Sequence, residues 1–561
     1  MTVQENHSET FSESSALVDP DYRLVASAFF LLLAAAVVAF EGAPTPQGPW
    51  EGIYRSYPIF WGLLLLSVAI LVVGSRRMPQ SLVILAVGGA AVATTLPTLT
   101  WGLPFGLRDP WIHLFYLDSG LFIERTPYPL FYSTIDTVAT TLGTDSQTVL
   151  GKMQIVAPVI GIAWLAALVG RIDSSTSRNT ALVGLSPVVV FGMLSRPFSL
   201  APLWIVFLWW ALLVRHGQAT RMRVGILLAA VSILWHPLVA VIVVFIVGLW
   251  YLVSLAPLPE MKRRVGLDSR TMTPLFGALL LFGVGFVYHL LAITDLGPRI
   301  FISLLVEFSS AGGSVSASAS QSTPLIFRIP NKLIEVVRRS SIVILLGVAS
   351  AIGAWYELRE RALSYPLTIS MLAAGATFAV FIIADLTLKS GFVKRGIVVA
   401  AVVLLPAAII GLQRSRWAVT VLLALCLVLS GGTLLYGSPM TGTIERTTTQ
   451  GDVHGAAWMA DHRGNGLVVG SENTYAITKA HYDRETAREW AGGPTLGYQD
   501  NRRPEDYSWQ VRSNGDTYYA VTETARQKAS GSKAGEALSQ FAAEQQHIYE
   551  NGNMDWYLNL D

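Results

Sequence analysis

Apolar residues in this chain fall into long runs separated by short polar connections, instead of alternating with polar positions. Runs near 23–40, 58–74 and 81–100 are each long enough for a transmembrane helix, which needs about 20 mainly apolar residues. A further run near 154–170 has the same character. The pattern therefore predicts a polytopic α-helical membrane protein.

Between residues 180 and 254 the apolar character hardly breaks, and prolines mark the interruptions. We expect helices to end at Arg196-Pro197 and at His236-Pro237, because proline removes a helical hydrogen bond and clashes with the preceding turn. The segment is therefore predicted to form four short spans. Further spans are expected near 274–293, 340–356, 363–386, 394–412 and 417–436, for a total of about thirteen.

Short cationic loops predict the orientation. Arg76-Arg77 and Lys262 to Arg270 lie in connections that the positive-inside rule assigns to the cytoplasm. The acidic N-terminal tail, residues 1–22, is then cytoplasmic, and the transmembrane domain extends over residues 23–436. The loop 101–153 and the Ser/Gly-rich segment 294–331 face outward, and the latter is predicted to be a flexible loop because it is too polar to bury a core.

Composition agrees with a membrane protein and narrows the chemistry. The 561 residues are 52% hydrophobic and 14% charged, with a formal net charge of +2. No basic patch indicates nucleic acid as a partner. The single cysteine, Cys426, lies in an apolar run, which excludes an internal disulfide and a cysteine metal cluster.

Residues 437–561 lose the apolar runs and predict a small soluble α/β domain outside the membrane. Asp452 is expected to cap a helix that ends at His462. Asn551-Gly552, between aromatic-rich flanks, predicts a β-hairpin. The remaining expected elements are a buried strand at Leu467–Val469 and helices at 476–490 and 533–545.

The segment from Arg108 to Phe131 concentrates polar chemistry at a membrane boundary. On a helix, Asp109 and His113 lie at i and i+4 and share one face. Polar groups in such a position are costly unless paired, so they indicate a functional site by default. Asp118 follows, and Tyr128 begins an amphipathic helix to Leu142 that is expected to lie at the interface.

Structural interpretations of these residues stay open. Asp109 precedes a proline, a common helix start, and is also suited to capping. Asp118-Ser119-Gly120 also fits a turn. His113 also fits a purely polar contact, and His236 before Pro237 also fits a structural histidine.

The order of three motifs resembles the C-type (GT-C) polyprenyl-phosphate-dependent glycosyltransferases, in particular haloarchaeal dolichyl-phosphate-mannose mannosyltransferases. These motifs are Asp109-Pro110-Trp111-Ile112-His113, Tyr128-Pro129 and Tyr549-Glu550-Asn551-Gly552. The resemblance implies a GT-C-like transmembrane domain in the cell membrane with its C-terminal domain extracellular. It also implies inverting transfer of mannose or another hexose from a dolichyl- or polyprenyl-phosphate donor.

The resemblance makes Asp109 the base that deprotonates an acceptor hydroxyl, on a lipid-linked glycan or a glycoprotein glycan. His113 and Asp118 are the other catalytic candidates, and Trp111, Tyr128 and His236 the substrate-binding ones. The departing lipid phosphate needs outward-facing cations. The candidates are Arg196, Arg299, Arg328, Arg338, Arg339, Lys394 and Arg395.

Oligosaccharide-to-protein transferases of the superfamily that this chain resembles hold a divalent ion with external-loop carboxylates and carry a Trp-Trp-Asp-Tyr-Gly-type sequence for the acceptor. In this chain external carboxylates are sparse and that sequence is absent. The comparison therefore implies neither a divalent metal nor another cofactor. A transporter or flippase for lipid-linked glycans is the main alternative, although the sequence has no internal repeat or pair of matched broken helices. A non-catalytic scaffold for surface assembly is a third hypothesis.

Overall fold

The computed structural model describes most of the N-terminal half and separate parts of the C-terminal half. Described residues are 22–41, 58–101, 109–120, 126, 128–173, 178–190, 202–213, 218–255, 343–360, 364–388, 401–415, 450–462, 467–469, 517–522, 546–551, 554–559 and a few single positions. Outside them lie the segment 294–331, nearly all of the predicted spans 274–293 and 417–436, and most of the helices expected at 476–490 and 533–545.

The described chain is mainly helical. In chain order the helices are α1 (Tyr22–Glu41), α2 (Pro58–Gly74), α3 (Gln80–Trp101), α4 (Asp109–Ser119), α5 (Pro129–Leu142), α6 (Ser146–Ile172), α7 (Arg178–Val190), α8 (Pro202–Leu213), α9 (Gln218–Trp235), α10 (Pro237–Leu255), α11 (residues 343–359), α12 (Tyr365–Leu388), α13 (Leu405–Arg414) and α14 (Gln450–His462).

Helix bounds follow the apolar runs closely at the start of the chain. The runs near 23–40, 58–74 and 81–100 are helices α1, α2 and α3. Within the described residues, Tyr22–Glu41, Pro58–Arg77 and Ser146–Ile172 are long and apolar enough to cross a membrane. Shorter apolar helices accompany them. Between 180 and 254, four helices form as predicted, and Pro237 starts the last of them.

Two predicted bounds were wrong. Helix α6 begins at Ser146, well before the expected 154, because the Asp145 side chain accepts a hydrogen bond from the Thr148 N–H at 2.6 Å and caps it. The run near 394–412 is interrupted at Leu404, where α13 starts with Pro406 in its first turn. Proline tolerates that position because the first-turn N–H groups have no helical partner.

Buried polar side chains join the helices to one another. Ser67 of α2 donates to the Ala28 carbonyl of α1 at 3.0 Å. The Asn179 side chain, at the start of α7, donates to the carbonyls of Ser75 and Met78, both at 2.9 Å. These bonds satisfy backbone groups at the α2–α3 connection that would otherwise be costly to bury.

Helices α11 and α13 approach to backbone contact where glycines face each other. A Cβ added to Gly411 would lie 1.8 Å from the Ala349 carbonyl oxygen, and one added to Gly353 would lie 2.9 Å from the Gly411 nitrogen. Small residues permit such close crossings of apolar helices.

The C-terminal residues form a four-stranded sheet of β1 (Leu467–Val469), β2 (Thr517–Thr522), β3 (Gln546–Glu550) and β4 (Met554–Asn559) in the order β1-β2-β4-β3. The expected strand at Leu467–Val469 is present and pairs in parallel with β2. The Asn-Gly hairpin prediction is confirmed, since β3 and β4 pair antiparallel around it.

Helix α14 lies beside this sheet. The Trp556 indole N–H donates to the Gly455 carbonyl at 2.9 Å, and the Asn551 amide donates to the Gly451 carbonyl at 2.7 Å. Asp452 was expected to cap the helix, but the helix begins two residues earlier and Asp452 lies within its first turn.

Candidate functional site

Helix α4 carries the candidate residues Asp109, His113 and Asp118. It begins at Asp109, with Pro110 next, and places His113 one turn, about 6 Å, further along. The predicted i and i+4 spacing of Asp109 and His113 therefore occurs on a real helix. Its start at Asp109 is compatible with both interpretations of that residue, the cap and the base.

His113 is buried against helix α5. It is 8% exposed, and its Nδ1 lies 2.5 Å from the hydroxyl of Tyr132, which is fully buried. The imidazole tautomer decides which of the two donates. The Phe131 ring packs edge-on to His113 at 5.5 Å between centroids. This hydrogen bond and the packing of the Phe131 ring fix the orientation of the buried imidazole.

A second histidine reaches the same cluster from a distant part of the chain. His236 is 4% exposed and occupies the break between α9 and α10 that Pro237 imposes. Its ring stacks on Tyr128 with centroids 4.9 Å apart and planes inclined by 22°. Tyr128 lies edge-on to His113 at 5.9 Å. Three sequence-predicted residues, His113, Tyr128 and His236, are thus neighbours.

Asp118 occupies the other end of α4. Nine residues separate it from Asp109, which is about 13 Å along the axis and on the opposite helix face. The two residues therefore lie at opposite ends and on opposite faces of α4. Gly120, with φ of 67°, ends the helix in the left-handed region, as the turn interpretation expected.

The Asp118 carboxyl has a perturbed acidity although it is exposed. Surrounding protein desolvates it, and the nearby Asp145 carboxylate repels its charge, which together raise its pKa to about 6. Burial of Asp145 acts to raise its own pKa, but hydrogen bonds from Thr148 outweigh this and hold the pKa below its ordinary value. Asp145 therefore stays ionised beside Asp118.

Trp111 does not lie at a surface. It is fully buried in the main hydrophobic core together with Leu114, so its ring is not presented to solvent in this structure. The candidate phosphate-binding cations, Arg196, Arg299, Arg328, Arg338, Arg339, Lys394 and Arg395, all lie outside the described residues.

Two residues of this region, Tyr132 and Asp145, were not among the candidates predicted from the sequence. Tyr132 lies four residues after Tyr128 and one after Phe131 on the buried face of α5, so the apolar period of that helix was the available signal. Asp145 three residues before Thr148 is an N-cap pattern. Its charge raises the pKa of Asp118 because the fold brings the two residues near each other, which the sequence does not show.

Residues from the C-terminal part of the chain pack directly on α4. Phe115 is 2% exposed and contacts Ala460 of α14 and Ala480. Helix α4 therefore lies between α5, which His113 contacts, and α14. Among the described residues, a group of three potential metal ligands occurs elsewhere, on the β3–β4 hairpin.

No protein-family model matches the sequence, and no curated protein matches it. Three solved structures illustrate the similarities found by fold. ArnT from Cupriavidus metallidurans, bound to undecaprenyl phosphate, has 12% identity and a TM-score of 0.47, with 85% of this chain and 97% of that chain covered. The Archaeoglobus fulgidus oligosaccharyltransferase has 11% identity and a TM-score of 0.45, with 84% and 72% covered.

The third is the arabinofuranosyltransferase AftD from Mycobacteria, with 14% identity, a TM-score of 0.43, and 84% of this chain and 39% of that chain covered. All three are glycosyltransferases. At these scores the likeness by itself establishes neither a family nor an activity for this chain.

Proposed function

We propose that the protein is a membrane glycosyltransferase that transfers a sugar, mannose or another hexose, from a dolichyl- or polyprenyl-phosphate donor to an acceptor hydroxyl. The acceptor is a lipid-linked glycan or a glycoprotein glycan on the outer face of the membrane. One observation carries the proposal: α4 begins with Asp109 and holds His113 in a buried cluster with Tyr128 and His236 from two other segments.

The chemistry asked of Asp109 is general-base catalysis. A carboxylate within hydrogen-bond reach accepts the hydroxyl proton while the oxygen bonds to the anomeric carbon. The sugar–phosphate bond breaks on the opposite side, which inverts the anomeric centre and leaves a lipid phosphate. That leaving group requires cations, for which Arg196, Arg338 and Arg339 are candidates. No metal is invoked.

His113 acts as a positioning residue. Its Nδ1 is engaged by Tyr132, so the ring is held in place from the side of α5. His113 follows Asp109 by one turn on α4, the spacing at which side chains share a helix face. We assign to the imidazole the role of orienting the Asp109 carboxylate for proton transfer.

The direct test supplies purified protein with a labelled lipid-phosphate sugar and a lipid-linked acceptor. Labelled acceptor is the expected product. In reconstituted vesicles, movement of the labelled lipid across the bilayer without covalent transfer would replace the proposal with a flippase. If neither transfer nor movement of the labelled lipid were observed, the scaffold hypothesis would be favoured.

Asp109→Asn separates chemistry from helix capping. Asparagine is nearly as good a cap but cannot accept the proton. We expect donor binding to persist while single-turnover transfer at saturating donor falls roughly 100-fold or more, the usual scale for a lost general base. Asp136→Asn, at an exposed position on α5, is the matched control. Normal transfer by Asp109→Asn would refute the role of Asp109.

A further inference from the structure

The β3–β4 hairpin places three potential metal ligands on one face of the C-terminal sheet. His547, Glu550 and Asp555 each offer one ligand atom, and these atoms all lie within 4.8 Å of one another. The Nε2 of His547 lies 4.0 Å from Oδ1 of Asp555. The cluster is not part of the transfer chemistry proposed above.

A β-bulge creates this arrangement. His547 lies opposite Tyr557 and Glu550 lies opposite Asp555, and the register shifts by one residue between His547 and Tyr549. Side chains alternate along a regular strand, so residues 547 and 550 would otherwise lie on opposite faces. The extra residue, Ile548, restores both ligands to the face of Asp555.

The residues on the opposite face of the hairpin agree with this assignment of side chains to the two faces. Trp556 and Met554 are fully buried there, in a small core to which Ile548 and Tyr549 also contribute. The bulge therefore sends two successive residues of β3 into the core and leaves their neighbours on the other side. A β-bulge commonly changes the direction in which the side chains of its strand point.

The three ligands differ in burial in a way that suits ion capture. The Asp555 side chain is 6% exposed, whereas that of His547 is 41% exposed and Glu550 is exposed. Tyr557 orients the buried ligand by donating from its hydroxyl to Oδ2 of Asp555 at 3.4 Å, which leaves Oδ1 towards His547. The Tyr557 ring also stacks on His547, with centroids 5.0 Å apart. Such contacts to metal ligands fix their orientation.

The turn is also held in place. The Asn551 side chain accepts from the Met554 N–H at 2.9 Å and donates to the Gly451 carbonyl of α14. Glu550 directly precedes this anchored residue. Only the exposed side chains of His547 and Glu550 then need to rotate to complete a site.

We propose that His547, Glu550 and Asp555 bind one divalent transition-metal ion, with Zn²⁺ as the best match, and so tie the edge strand β3 to β4. Ligands about 2.0 Å from a tetrahedral zinc lie about 3.3 Å apart, which a small rotation reaches from the 4.0 Å between His547 and Asp555. An imidazole in the ligand set favours Zn²⁺ over Mg²⁺ or Ca²⁺. Water completes the coordination.

The test uses full-length protein in detergent, with any affinity tag removed, stripped with EDTA and then titrated with ZnCl₂. We expect about one zinc per chain by elemental analysis, and a higher thermal midpoint because the ion binds the folded state only. MgCl₂ at equal concentration should have little effect. An equal response to Mg²⁺ would overturn the assignment to a transition metal.

Variants locate the ion. His547→Ala should abolish zinc-dependent stabilisation, and Glu550→Gln should weaken zinc binding at least about 10-fold, the usual scale for a lost contact at a metal site. The matched control is His462→Ala, because His462 is also an exposed histidine, stacked on Trp458 at 4.4 Å. The site would be refuted if His547→Ala and Glu550→Gln bound zinc as well as the unaltered protein does. It would also be refuted if the unaltered protein bound no zinc.

Discussion

Substituting Gly411 by alanine tests the close crossing of helices α11 and α13. Alanine is the better helix former by about 1 kcal/mol, so propensity alone predicts stabilisation. The surroundings predict the reverse. The new Cβ would lie 1.8 Å from the carbonyl oxygen of Ala349 and 2.8 Å from its carbonyl carbon.

The magnitude follows from what has to move. Ordinary contact begins at 3.4 Å, so the Cβ and the carbonyl oxygen must separate by about 1.6 Å. Both belong to helix backbones, and no side-chain rotation relieves the clash. Overpacking costs typically 1–3 kcal/mol, and the upper end applies to a backbone clash. After the propensity gain, a net loss of about 2 kcal/mol remains.

The assay is thermal unfolding in detergent, in which Gly411→Ala should lower the midpoint by a few degrees. Gly347→Ala is the control, since Gly347 lies in α11, the partner helix of this crossing, and a Cβ there meets nothing within 4 Å. It should be neutral or slightly stabilising. If Gly411→Ala proved as stable as Gly347→Ala, the close approach of α11 and α13 would be wrong.

Two further predictions concern the candidate site. Tyr132→Phe should destabilise the protein by about 1–3 kcal/mol, because it removes a buried hydrogen bond to His113. The loss is measured by thermal unfolding, with Tyr22→Phe at an exposed position as the control. Equal midpoints for the two variants would contradict the hydrogen bond. Asp118 has a raised pKa of about 6 in the folded state, so its contribution to stability is full below pH 4 and is lost as the pH rises through about 6. Asp118→Asn should therefore raise the midpoint relative to the unaltered protein more at pH 7.5 than at pH 5, and a constant difference would contradict the shift.

The helices that form from long apolar runs were the part of the fold that could be predicted from the sequence. Helices α1 to α3 follow long apolar runs, whose ends water and the bilayer define. The start of α6 was missed because a polar first turn carries no apolar signal, although Asp145 and Thr148 had the capping pattern. Pairings of distant segments, such as Asn179 with the α2–α3 connection, leave no local trace.

The same division holds at the candidate site. The spacing of Asp109 and His113 was evident from sequence because a helix repeats every 3.6 residues. The stacking of His236 on Tyr128 joins segments about 100 residues apart and depends on tertiary structure. The β-bulge next to Tyr549 was also unpredictable, since it shows only when the register of both strands is known.

Helix α4 links the two parts of the molecule through opposite faces. His113 and Phe115 are two residues apart, about 200° around the helix. His113 is hydrogen-bonded to Tyr132 of α5, while Phe115 packs on Ala460 of α14. A short helix held on both faces cannot rotate without breaking one of these contacts. Helices α5 and α14 therefore hold α4 together, and under the proposed mechanism this gives α14 a role in placing the helix that begins with the proposed base.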